Sequence, residues 1–127
     1  MDRRKHPRFV RRLTVKFISD KIASTGITGD VSESGLFIRT NISFVPDTIV
    51  DIELAMPDNT ISLLRGVVVR TVKTPFHSVK NGMGVRLCEK SAAYINFIRS
   101  LSVEERVRLL VSRFYQDRER ERSKEKK

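Results

Sequence analysis

The 127 residues are enough for one domain and leave little room for a second. With 39% hydrophobic and 31% charged residues, a globular core is within reach and disorder throughout is not expected. The single cysteine, Cys88, excludes an internal disulfide and makes a reducing compartment the default, while no apolar run approaches the roughly 20 residues that span a bilayer.

The net charge of +10 is unevenly spread. Residues 1–16 hold seven Lys/Arg against one acid, residues 118–127 hold six against three, and the 101 residues between are balanced to within one charge. A basic arm ahead of a neutral domain suggests a local anion site, whereas a uniformly basic surface would suggest long nucleic acid.

In chain order, residues 1–10 read as a basic N-terminal arm, stiffened at Pro7. No apolar segment follows Met1–His6, so a secretory signal is not expected and the chain reads as cytoplasmic. Leu13, Val15 and Phe17 alternate with Arg12, Thr14 and Lys16, which predicts a half-buried strand ending at a Ser19-Asp20-Lys21 turn. A weaker strand follows over 22–29 with Ile22 and Ile27. Small polar residues span Gly29 to Gly35, and Leu36-Phe37-Ile38 resumes a strand. Pro46-Asp47 marks a turn, Val50, Ile52, Leu54 and Met56 alternate in another strand, and Pro57-Asp58-Asn59 closes it with a hairpin-like turn. Residues 60–72 are largely apolar and β-branched, with a phase that blurs at Gly66, as a bulge or barrel bend would produce. Residues 73–81 read as a loop, and Met83, Val85 and Leu87 form a last strand.

Six short strands at near-regular spacing, with no helix long enough for a parallel crossover, predict a closed antiparallel barrel or sandwich. A barrel is expected over 11–90 and a helical segment over 91–117. Within the latter, a short helix over Ala92–Arg99 is followed by a second one, capped at Ser102 with Glu105 three residues later. Val103, Val107, Leu110, Val111 and Phe114 share a face of that second helix; packing against the barrel is the expectation, and a homodimer contact the alternative. Residues 118–127 read as a fraying helix end and a disordered tail.

Two motifs carry the chemistry. The first is Arg4-Lys5-His6-Pro7-Arg8, with Arg3 just ahead of it; the second, about two dozen residues on, is Asp30-Val31-Ser32-Glu33-Ser34-Gly35. A guanidinium fork suits phosphate oxygens and the O6/N7 edge of guanine, and it stacks on base faces. Asp30 accepts hydrogen bonds only, so it complements the N–H donors of guanine, and Ser32 adds a hydroxyl. Gly35 allows positive φ or close approach to the backbone. Asp30 and Ser32 can serve turn chemistry at the same time.

Together the motifs resemble the PilZ domain family. Gly66-Val67-Val68-Val69-Arg70 and Gly82-Met83-Gly84-Val85-Arg86-Leu87 are similar to the late strands of its barrel, and the resemblance covers about residues 3–90. It implies an all-β, six-stranded antiparallel barrel with a flexible N-terminal arm, followed here by a C-terminal helix. It further implies a receptor that binds the bacterial second messenger cyclic di-GMP through Arg4 and Arg8 on the arm and Asp30, Ser32 and Gly35 on the barrel. The arm would fold over the ligand and pass the signal to a downstream protein. In the family an arginine at the position of Arg3 accompanies two stacked ligand molecules, and Gly84 would approach a base through its backbone.

No cofactor besides this ligand is expected. His6 and His77 lie far apart with no supporting ligands, so no metal site is expected, and Cys88 reads as a structural thiol. The lack of a Ser/His/Asp set or a phosphate loop argues against an enzyme. A small-barrel nucleic-acid binder remains an alternative, disfavoured by 7% aromatics, the lack of Trp and the neutral barrel, and DNA is not an expected partner. A ligand-independent interaction module is the other alternative.

Overall fold

The computed structural model describes residues 6–75 and 80–125, with side chains to residue 119. Seven strands and one helix follow in order: β1 (Phe9–Val10), β2 (Thr14–Ser19), β3 (Ile22–Val31), β4 (Gly35–Arg39), β5 (Ile49–Ala55), β6 (Ile61–Val72), β7 (Gly82–Glu89) and α1 (Ala92–Glu125). All pairings are antiparallel, in the order β1-β3-β2-β5-β6-β7-β4. A further β3–β4 pairing closes β2 to β7 into a six-stranded barrel.

Alternation builds the interior. Val15 and Phe17, Val50, Ile52 and Leu54, Leu64 and Val68, Met83, Val85 and Leu87, and Leu36 and Ile38 all point inward and are buried. Each contributes roughly 1.5–3 kcal/mol through loss of apolar surface to the interior. The turns form at the punctuated positions, where Asp20, Asp47 and Asn59 take left-handed backbone with φ of 52°, 73° and 70°. Asp and Asn tolerate this conformation better than other residues with a side chain. At the β5–β6 hairpin, Asp58 accepts from both the amide and the hydroxyl of Thr60, and the hydroxyl bond above all holds its carboxyl below the usual range.

Gly66 stands at a register shift in the β6–β7 ladder, as the blurred phase predicts. Two further shifts were not legible. One lies in β6 between Val68 and Arg70, the other in β3 between Thr28 and Val31. The weak strand over 22–29 is β3. Its Ile22 and Ile27 stay exposed while Thr28 and Val31 are buried, and the strand pairs with β2 over its first part and with β1 and β4 towards its end.

Three expectations are corrected. Residues 1–10 are not wholly an arm, because Phe9 and Val10 pair with Val31 and Asp30 as β1 and Phe9 is buried. The helical segment is one helix, capped at Ser91, whose hydroxyl accepts from the Tyr94 amide at 3.2 Å, and it runs unbroken to Glu125. Ser102 is inside it. The sequence has no Gly or Pro between Ala92 and Glu125, and serine in a helix costs only about 0.5 kcal/mol relative to alanine. The expected tail over 118–127 is therefore helical as far as Glu125; residues 126–127 lie outside the described residues.

The third correction concerns the helix face. Tyr94, Ile98 and Leu101 are buried and Phe97 packs against the core, so the first three turns seat on the barrel. The stripe expected to pack there does not: Val103, Val107, Leu110, Val111 and Phe114 are between 46% and 63% exposed. No helix of the described residues is long and apolar enough to cross a membrane.

Candidate functional site

Between Asp30 and Gly35 the chain passes from β3 to β4 through a tight turn, closed first by its own groups. The Ser32 amide donates to the Gly35 carbonyl at 2.8 Å. The Ser32 hydroxyl donates to the same carbonyl and accepts from the Gly35 amide, both at 3.1 Å, and lies 3.3 Å from the Ser34 hydroxyl. Ser32 is only 3% exposed, so its hydroxyl is committed to the turn. The Ser34 carbonyl accepts from the Leu87 amide at 2.9 Å, which ties the turn to β7.

Gly35 is required for space rather than conformation. No glycine here has positive φ, but a Cβ on Gly35 would sit 2.5 Å from the Val85 carbonyl oxygen across the ladder. That corrects one of the two reasons the sequence offered for it.

The turn is also fastened to α1 and to the segment leading into it. The buried Tyr94 hydroxyl donates to the Ser32 carbonyl at 2.7 Å, the Lys90 ammonium donates to the Glu33 carbonyl at 2.8 Å, and the Arg99 guanidinium lies 3.4 Å from the Glu33 carboxylate. Burial, above all, pushes the Tyr94 phenol well above its usual range, so it stays a donor. On its other side Glu33 meets His6, with Nε2 3.9 Å from Oε2. Glu33 thus stands between the arm and the helix, a role the sequence reading did not assign to it.

The short β1 determines where Arg8 goes. Because Phe9 and Val10 pair with Val31 and Asp30, the residue just before them reaches the end of β3, and Arg8 Nη1 lies 3.7 Å from Asp30 Oδ2. Both side chains are about one-third exposed. Asp30 itself stands in the β3 register shift, where Gly29 and Asp30 face β4 between the Thr28–Ile38 and Val31–Leu36 pairs. Bulges re-aim side chains in this way beside functional sites. Arg3 and Arg4 lie outside the described residues, as does His77.

Beside this ion pair is a depression of about 250 Å³ on the outer wall of β4, β6 and β7. Ser32, Ser34, Gly35, Phe37 and Gly84 line it, together with Arg8, Arg70 and Arg86. The lining carries no carboxylate. Among the described residues, no acid pairs with Arg70 or Arg86. Unpaired guanidinium groups around a glycine-lined recess suit an anion with flat, polar edges.

Of the six expected binding residues, the structure thus brings Arg8, Asp30, Ser32 and Gly35 to one end of the barrel. Gly84 lies on the same wall. Ser34, Phe37, Arg70 and Arg86 belong to the same surface and were missed. Their strands were visible in the sequence, but the face each presents depends on the bulges. Among the described residues, no group of three or more His, Cys, Asp or Glu could hold a metal ion. Cys88 is exposed, and its thiol donates to the Arg65 carbonyl at 3.3 Å.

A closed six-stranded antiparallel barrel followed by one C-terminal helix is a PilZ-like fold. The chain belongs to the PilZ domain family, whose model matches residues 2–112. PilZ domains are binding and receptor modules and not enzymes. Two solved structures share the fold. The Bacillus subtilis inhibitor of motility MotI/DgrA is similar over 85% of this chain and 53% of its own, with a TM-score of 0.69 and 17% identity. The present chain thus spans about half the length of that protein. The PilZ domain of CeSA from a cellulose-synthesizing bacterium is similar over 76% of this chain and 98% of its own, with a TM-score of 0.58 and 16% identity. No curated protein matches the sequence at a significant level.

Proposed function

We propose that this chain binds cyclic di-GMP in the recess beside the Asp30–Gly35 turn and relays its presence to a downstream protein. The observation that carries the reading is Arg8 beside Asp30 at the rim of a recess lined by three arginines and no carboxylate. The ligand brings two phosphates and two guanines. Its phosphates compete with the Asp30 carboxylate for the Arg8 guanidinium, and the released carboxylate then faces the N–H edge of a guanine. Arg4 adds a second fork, and Arg3 favours two stacked ligand molecules. The glycines let the ligand approach the wall. Ser32 acts by shaping the turn, since its hydroxyl is already engaged.

The relay follows from attachment. The turn that meets the ligand is tied to α1 through Tyr94 and Arg99 and to the segment before it through Lys90, and His6 of the arm lies 3.9 Å from Glu33. A ligand that orders the arm and draws on Asp30 biases the seat of the helix, and the downstream protein senses that difference.

Isothermal titration of the wild type and Arg8→Ala with cyclic di-GMP tests the reading. Saturable binding, weakened about tenfold or more in the variant, is expected, given roughly 1–3 kcal/mol for a bidentate arginine contact. Equal affinities, or no binding by the wild type, overturn it. Binding to oligonucleotides with a steep salt dependence, and none to cyclic di-GMP, would assign the recess to single-stranded nucleic acid instead.

A further inference from the structure

We propose that Arg70 and Phe37 form a stacking clamp on the barrel wall that holds one purine of the ligand, so that the site grips from the barrel as well as from the arm. The proposal rests on the recess being the cyclic di-GMP site.

The two residues share one transverse row. Phe37 on β4 is paired with Gly84 on β7, and Gly84 is paired with Arg70 on β6. Strands two apart in a sheet are separated by about 9.5 Å, so residues in such positions do not normally touch. Here they do: Arg70 Cζ lies 5.6 Å from the centre of the Phe37 ring. The arginine reaches it by crossing the bare backbone of Gly84. A Cβ at that position would stand 3.1 Å from Arg70 Cγ and 3.2 Å from Nε, crowding the side chain out of its path.

The bulge supplies the direction. Leu64 and Val68 point into the barrel, and simple alternation would send Arg70 inward with them. The register shift between Val68 and Arg70 inserts one residue, and Arg70 emerges on the outer wall opposite Gly84. On the other side of Phe37, the β3 bulge turns out Asp30. Two irregularities thus bring a carboxylate and a guanidinium to the two flanks of one half-buried ring.

The chemistry of the row fits a flat, polar-edged base. A guanidinium plane and an aromatic ring both stack on purines, and the fork that lies over one face can also reach the O6/N7 edge. In the unliganded protein Phe37 holds Arg70 in place by cation–π attraction, and among the described residues no carboxylate competes for it. An arriving purine takes the ring face, and the guanidinium closes over it.

Titration of the full chain with cyclic di-GMP, using Arg70→Ala, Arg70→Lys and Phe37→Leu beside Arg8→Ala, tests the clamp. Arg70 and Phe37 are on the wall rather than in the core, so circular dichroism and melting of all variants should match the wild type. Arg70→Ala and Phe37→Leu are each expected to weaken binding about tenfold, the scale of one stacked base. Arg70→Lys keeps the charge but not the plane, so it too should weaken binding. Wild-type affinity in Arg70→Lys would reduce the role to charge and overturn the clamp. Wild-type affinity in Arg70→Ala and Phe37→Leu, with Arg8→Ala defective, would overturn the clamp and leave the site reading intact. A wild type that does not bind would overturn the site reading, and the clamp with it.

Discussion

The Tyr94 hydroxyl donates to the Ser32 carbonyl at 2.7 Å across 62 residues of sequence, joining the first turn of α1 to the turn that flanks the recess. The bond is buried, so removing the hydroxyl strands the carbonyl without water. Tyr94→Phe keeps the ring in the core and should lower the unfolding free energy by about 1–3 kcal/mol, measured by urea denaturation. Arg99→Ala removes a largely exposed partner of the same turn and should change stability by less than about 1 kcal/mol. A Tyr94→Phe protein as stable as the wild type would show that the helix is not held through this bond.

Gly35→Ala tests the reason given for the last residue of the second motif. The added methyl meets the backbone oxygen of Val85, which cannot rotate aside as a side chain would. The β4–β7 ladder must part locally, with an expected loss of about 1–3 kcal/mol, read as a lower thermal midpoint. Amide exchange at Leu36 to Ile38 should accelerate along with it. An unchanged midpoint would mean that the close approach is not a constraint.

The exposed stripe of α1 is a separate matter. Val107→Asp and Leu110→Asp touch nothing on the barrel and should leave its unfolding free energy within about 0.5 kcal/mol at low protein concentration. Had the stripe been packed on the barrel, the same substitutions would bury a charge and prevent folding. Sedimentation across a concentration series gives the second reading. If another copy covers the stripe, the wild type gains mass and melts later as concentration rises, and the variants do neither.

Ionic strength should tune the affinity. Three guanidinium groups line a partly open recess, and the ligand is a dianion, so the attraction is screened by salt. Titrations from ~0.05 M to ~0.5 M salt should show several-fold weakening, with a shallower slope in Arg8→Ala. Affinity independent of salt in the wild type would argue that phosphate contacts are minor.

Much of this barrel could be read before any coordinates. Val15 and Phe17, or Val50, Ile52 and Leu54, declare their inward face by simple alternation, and Asp20, Asp47 and Asn59 occur where turn residues cluster. The turn at Asp30–Gly35 was legible because its spacing is short and local. What escaped was set by events at a distance. Arg70 faces the recess only because one extra residue enters β6, and alternation alone sends it the wrong way. Phe37 reads as one more apolar strand residue until its neighbours across the ladder prove to be a glycine and a bulge. The helix misled for a different reason. The Ser102–Glu105 pattern is a start signal only where the preceding turn cannot be helical, and here it can. Ser100 shows how such residues are accommodated, donating its hydroxyl back to the Phe97 carbonyl at 2.7 Å. The face of a helix is readable from period alone, but whether anything lies against it is not.

The seating of α1 has a mechanical consequence. The buried residues of α1 end at Leu101, and the remaining residues to Glu125 form a helical rod about 36 Å long. A rod pivoted at one end magnifies angle into distance. A tilt of about 3° at the base, produced by displacements of about half an ångström around Tyr94, sweeps the far tip through about 2 Å. If the proposed ligand shifts that seat, a movement too slight to disturb the packed wall would arrive enlarged at the far end of the helix.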